Sequence, residues 1–140
     1  MLSDAQRDEL VAAVLQSGLD DWVALGEVDA IALFYKVAEP VTRSKMTSAP
    51  EWAIEPVIRH VVERGLMLAG EVYSQGGFVA HEGDREASIV WMMDIFREAG
   101  DMWPFAAWLA LTDEGEAAAK TLPRALYLDE PWPDENGALS

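Results

Sequence analysis

Apolar positions in the first part of the chain recur at helical spacing. Leu10, Val11, Val14 and Leu15 form one stripe, opened by Ser3-Asp4-Ala5-Gln6 and stopped at Gly18. The opening has the form of a capping box, in which Ser3 caps the helix and Gln6 reaches back. "DDWVALGEVD" has room for a short strand or turn. A second helix is predicted over "EVDAIALFYKVA", ended by Glu39-Pro40, because a residue before proline is pushed out of the helical region. Val41–Thr47, "VTRSKMT", is polar and basic and reads as a loop. Ser48 is the expected cap of a third helix with Pro50 in its first turn. Ile54, Val57, Ile58 and Val61 follow at i, i+3, i+4, i+7, an amphipathic pattern. Pro56 inside that pattern predicts a lost hydrogen bond or a kink, and Gly65 closes the helix.

Beyond Gly65 the period changes. "LMLAGEVYSQGGFVAHE" predicts two strands around a Gly76-Gly77 turn. Asp84 begins a fourth helix whose buried stripe is Ile89, Met92, Met93 and Phe96, ended by Gly100. "DMWPF" reads as a loop. Trp108–Leu111 is a predicted strand, Thr112 a cap and Asp113–Thr121 a helix with acids in its first turn, as the helix dipole favours. After Pro123 periodicity fades. Residues 1–122 are thus expected to form one domain and 123–140 an extended segment, disordered over Asp134–Ser140.

At 140 residues one domain is expected. The absence of cysteine excludes disulfides, thiolate metal sites and a cysteine nucleophile. The N-terminus lacks a basic leader pattern, and no apolar run approaches the ~20 residues of a membrane span. The expectation is a soluble, cytoplasmic protein with no membrane contact. Twenty-five acidic residues against ten basic ones give a formal charge of −15. Such a charge repels nucleic acid and anionic membranes. Between Lys36 and Arg64, five basic residues face four acidic ones, so that segment is +1 and the remainder is −16.

The order helix, helix, helix, strand, strand, helix resembles a winged helix-turn-helix. "RHVVERGLMLAGEV" is similar to a recognition helix running into a first wing strand. "WLALTDEGEAAAKTL" is similar to the second wing strand and following helix of MarR-class regulators. Two departures stand out. Thirty-five residues, a helix among them, separate Val72 from Trp108, and the basic residues of a recognition helix and wing are mostly missing. "ERGLMLAGEVYSQGGFVAHEG" also resembles small acidic actinobacterial proteins of unknown function, which implies no activity. The expected fold is α+β and mainly α: a winged-helix-like core of three helices and a small hairpin, with an extra helix inserted between the wing strands.

Opposite Ile54, the third helix carries Trp52, Pro56, Arg59 and Glu63, with Glu55 and His60 at the edges. The plain alternative to a binding role is a solvated face with i,i+4 pairs Glu55–Arg59 and Arg59–Glu63. The fourth helix sets Trp91, Asp94 and Glu98 opposite its buried stripe, and non-core aromatics are enriched at interfaces. The resulting expectation is a non-enzymatic interaction module that binds a protein partner, of basic character, through Trp52, Glu55, Arg59, Glu63, Trp91 and Asp94. A homodimer covering these residues is an intermediate case. The alternative is a dimeric DNA-binding regulator docking through Arg43, Lys45, Arg59, His60 and Arg64. The charge weighs against it, since duplex binding rests on phosphate neutralisation. The "AHEGD" run offers His81, Glu82 and Asp84, but no second histidine is spaced to share a metal with it. No nucleophile elbow, P-loop or dinucleotide fingerprint occurs, so no cofactor is expected.

Overall fold

The structure is a computed structural model that describes residues 1–43 and 46–129, without the Arg43 side chain. Helix α1 (Asp4–Ser17) opens on the predicted capping box. The Gln6 amide donates to Ser3 Oγ at 3.1 Å, and the Ser3 amide donates to Gln6 Oε1 at 2.9 Å. Strand β1 (Val23–Ala24) leads directly into α2 (Leu25–Tyr35). This helix starts and ends earlier than predicted, because Lys36 turns left-handed at φ 55° before Pro40 is reached.

Residues 41–43 and 46–47, expected in a loop, are strand. Strands β2 (Val41–Arg43) and β3 (Met46–Ser48) pair antiparallel, with Val41 opposite Ser48 and Thr42 opposite Thr47. The β-branched residues suit that ribbon. Ser48 does not cap the next helix. It is fully buried and its hydroxyl donates to the Ala49 carbonyl at 2.8 Å, while the Ala49 amide donates to Asp29 Oδ1 of α2 at 2.7 Å. Asp29 thus pins the chain two residues before the helix, and α3 (Glu51–Glu63) starts from Pro50. The helix passes through Pro56, and Gly65 ends the turn beyond it at φ 72°.

Strands β4 (Met67–Tyr73) and β5 (Gly77–Ala80) form the expected hairpin. Helix α4 (Arg85–Glu98) is capped by Asp84, which accepts from the Ala87 amide. The "DMWPF" segment is helical instead of a loop: a 3-10 turn (Gly100–Met102) runs into α5 (Trp103–Ala106). Its cause is Trp103, only 1% exposed and packed edge-on against Phe96 at 4.9 Å, which anchors the segment in the core. Strand β6 (Trp108–Leu111), the Thr112 cap and α6 (Asp113–Thr121) follow as predicted. Leu126–Asp129 form one helical turn, α7, within the segment expected to be extended. The expectation for Asp134–Ser140 lies outside the described residues.

The fold is α+β, with helices as the larger part and a four-stranded antiparallel sheet in the order β1-β6-β4-β5. Val23, Met67, Ala69 and Leu109 turn inward to the helices and are buried. The alternate residues turn outward. Register places Leu68 opposite Ala110, Gly70 between Trp108 and Ala80, and Val72 opposite Phe78.

Candidate functional site

The exposed stripe of α3 is built as an ion lattice. Arg59 Nε donates to Glu55 Oε1 at 2.8 Å and Nη1 to Glu63 Oε2 at 3.4 Å, so both i,i+4 pairs form. Arg59 Nη1 also reaches Glu86 Oε2 of α4 at 2.7 Å. At the other end of the two antiparallel helices Arg97 of α4 donates to Glu51 of α3 at 2.7 Å and to Asp94 at 2.6 Å. Arg85 completes the seam by donating to the Glu63 carbonyl at 3.0 Å. The hydrogen bonds that it donates to Glu86 and Glu55 hold the Arg59 guanidinium well above its ordinary pKa. Arg59 is therefore neutralised where it stands. Trp52 shares its stripe and is 45% exposed.

Trp91 lies elsewhere. Its indole stacks on His81 at 4.9 Å, on the side of α4 that meets the β4–β5 hairpin. Of the six residues expected to meet a partner, Trp52, Glu55, Arg59 and Glu63 share one stripe. Asp94 joins that region through Arg97, and Trp91 belongs to a second region. Of the nucleic-acid alternative, Arg59 is engaged by carboxylates, and Arg64 is exposed. His60 is half-buried, and burial, with Arg64 and Arg7 nearby, pushes its pKa below the ordinary value. Lys45 and the Arg43 side chain lie outside the described residues.

A surface that the periodicity did not single out is the outer face of the sheet. Leu68, Gly70, Val72, Phe78, Ala80, Trp108 and Ala110 share it, and none is charged. Leu68 is 49% exposed. Trp22 extends the face from the turn before β1, with its ring 6.2 Å from Phe78. Phe105, 67% exposed, lies 6.4 Å from the Trp108 ring, whose Nε1 donates to the Phe105 carbonyl at 2.9 Å. Gly70 makes the platform possible. A Cβ there would stand 2.7 Å from Phe78 Cζ and 2.2 Å from the Val79 carbonyl oxygen, so only glycine lets the phenyl ring lie across β4.

Among the described residues no three His, Asp or Glu side chains converge as metal ligands, and no helix is long and apolar enough to cross a membrane. His81 is held by the protein itself: the Gly83 amide donates to its Nδ1 at 3.1 Å, and Ser88 Oγ lies 3.2 Å from the same atom. Neither the protein-family models, the curated proteins nor the solved structures compared with the chain gave a match.

Proposed function

We propose that the chain is a non-enzymatic protein-interaction module on a winged-helix-like scaffold, and that its partner docks on the outer face of the sheet. The scaffold reading rests on α3 running through Gly65 into β4, on β6 pairing with β4, and on β6 passing through Thr112 into α6. Helices α4 and α5 are the insertion between the two wing strands.

One observation carries the docking surface: an uncharged aromatic and aliphatic face, open to solvent, on a chain of charge −15. Contiguous apolar surface of this kind marks interaction sites; burying it is favourable, and tryptophan is enriched among the residues that dominate such contacts. Acids neighbour its residues along the chain: Asp20 and Asp21 precede Trp22, and Asp113 and Glu114 follow β6. A second copy would set acid against acid, whereas a partner with an apolar centre and basic margin matches both parts. The stripe of Trp52, Glu55, Arg59 and Glu63 is a smaller second contact through Trp52. The DNA-binding alternative loses support because Arg59 is already saturated by carboxylates.

The test compares the immobilised wild-type chain with Leu68→Ser and Phe105→Ser, both at exposed positions, in quantitative capture from the host, with circular dichroism as the control on folding. The expected result is a partner retained stoichiometrically by the wild type and lost by both variants. Capture that ignores both variants and fails on Trp52→Ala would move the site to α3. Salt-sensitive retention of duplex DNA that is lost on Arg64→Glu would replace the reading by the regulator alternative.

A further inference from the structure

We infer that the outer edge of β5 takes up an extended segment of the partner in which apolar and basic residues alternate, with a lysine or arginine side chain seated in the cleft between the hairpin and α4. This deepens the protein-interaction reading above and rests on it.

Strand β5 is the last in the sheet order, and among the described residues no strand pairs with its outer side. The His81 amide donates to the Ala69 carbonyl at 2.9 Å, which fixes the phase of the ladder. Residues 77, 79 and 81 then direct their backbone groups to β4, and Phe78 and Ala80 direct theirs outward. Two N–H and two C=O groups are thus presented to an incoming strand, the arrangement used in recognition by strand addition. Side chains of a strand bound there alternate between the two faces of the sheet. One set extends the apolar outer face beside Phe78. The other points to the helix side of the hairpin.

On that side lies a cleft of about 300 Å³ lined by Glu71, Tyr73, Val79, His81, Glu82 and Trp91. Two carboxylates and two large aromatic rings meet there, and no lysine or arginine lines it. An indole or phenol face attracts an alkylammonium or guanidinium, and a carboxylate nearby adds a charge-assisted hydrogen bond. The cleft is preorganised. His81 stacks on the Trp91 indole and is itself fixed by Gly83 and Ser88, while the Tyr73 hydroxyl donates to Glu71 Oε2 at 2.5 Å. The aliphatic stem of a lysine matches Val79, and its ammonium matches the acids.

The probe is a short peptide of alternating valine and lysine, titrated into the full chain and followed by amide and indole NMR shifts. A peptide of the same composition with its lysines in one block is the control for bulk attraction to an acidic protein. The expected result is that the alternating peptide binds about tenfold more tightly than the block peptide, that the Phe78 and Ala80 amides and the Trp91 indole shift together, and that the Glu71→Gln, Glu82→Gln double variant removes the difference. Equal affinity for the two peptides, or shifts scattered over the acidic surface, would overturn the inference. So would a double variant that leaves the difference intact. Partner capture that is lost on Phe105→Ser yet indifferent to the double variant would sink the cleft alone and leave the docking face standing.

Discussion

The Arg59 guanidinium of α3 and the Glu86 carboxylate of α4 meet at 2.7 Å, joining the C-terminal half of one helix to the first turn of the next. Both side chains are more than a third exposed. Arg59→Ala is therefore expected to lower the urea midpoint only slightly, as exposed ion pairs do, and to lose most of that difference at high salt. A loss as large as a core deletion, unchanged by salt, would mean that the lattice holds the helices together.

Gln16 clips the C-terminal segment to α1. Its buried amide nitrogen donates to the Pro123 carbonyl at 2.9 Å and to the Leu122 carbonyl at 3.4 Å, and its oxygen accepts from the Ala125 amide at 2.7 Å. Gln16→Leu leaves those backbone groups without their partner. The expected cost is about 2–3 kcal/mol in urea unfolding, with faster amide exchange at Ala125 and Tyr127. Wild-type exchange rates there would show that the segment is held by other contacts.

Gly115 lies inside α6, where helix propensity alone says that alanine should gain about 1 kcal/mol. The packing says the reverse. A Cβ at Gly115 would stand 1.9 Å from the Leu66 carbonyl oxygen, which cannot yield without moving β4. Gly115→Ala is expected to destabilise by about 1–3 kcal/mol, read as a lowered Tm. A raised Tm would show that α6 is able to slide away from β4.

Glu27 is half-buried, and desolvation raises its pKa above the ordinary 4.5, with Asp21 adding to the shift and Ser17 opposing it. A carboxyl raised in the folded state binds more protons there than in the unfolded chain. Its contribution to stability is therefore fullest below about pH 4.5 and is lost as pH rises through the raised folded value. Glu27→Gln is expected to be more stable than the wild type at neutral pH, with the gap closing in acid. Urea midpoints across pH check this, and a variant that is weaker at neutral pH contradicts it.

Local signals carried much of the architecture. Ser3 with Gln6, the stripe from Ile54 to Val61 and the Leu111–Thr112–Asp113 junction each concern neighbours along the chain, and each appears in place. The misread segments depend on distant partners. Ser48 reads as a cap until Asp29 takes the Ala49 amide, and "DMWPF" reads as a loop until Trp103 finds Phe96. The outer sheet face was hidden for a different reason. "MLAGEVY" and "WLAL" are apolar on nearly every residue, which is how a strand covered on both sides reads, so nothing in them tells an uncovered face from a buried one. The lattice around Arg59 was half legible: the i,i+4 acids follow from helical spacing, whereas Glu86 lies 27 positions away.

The Thr112 hydroxyl shares its hydrogen between the Gly65 and Leu66 carbonyls, at 2.6 and 3.1 Å, while accepting from the Gly115 amide. One oxygen thereby gears three parts together: the exit of α3, the base of β4 and the first turn of α6. Moving α6 away from the foot of the sheet therefore breaks at least one bond at this oxygen.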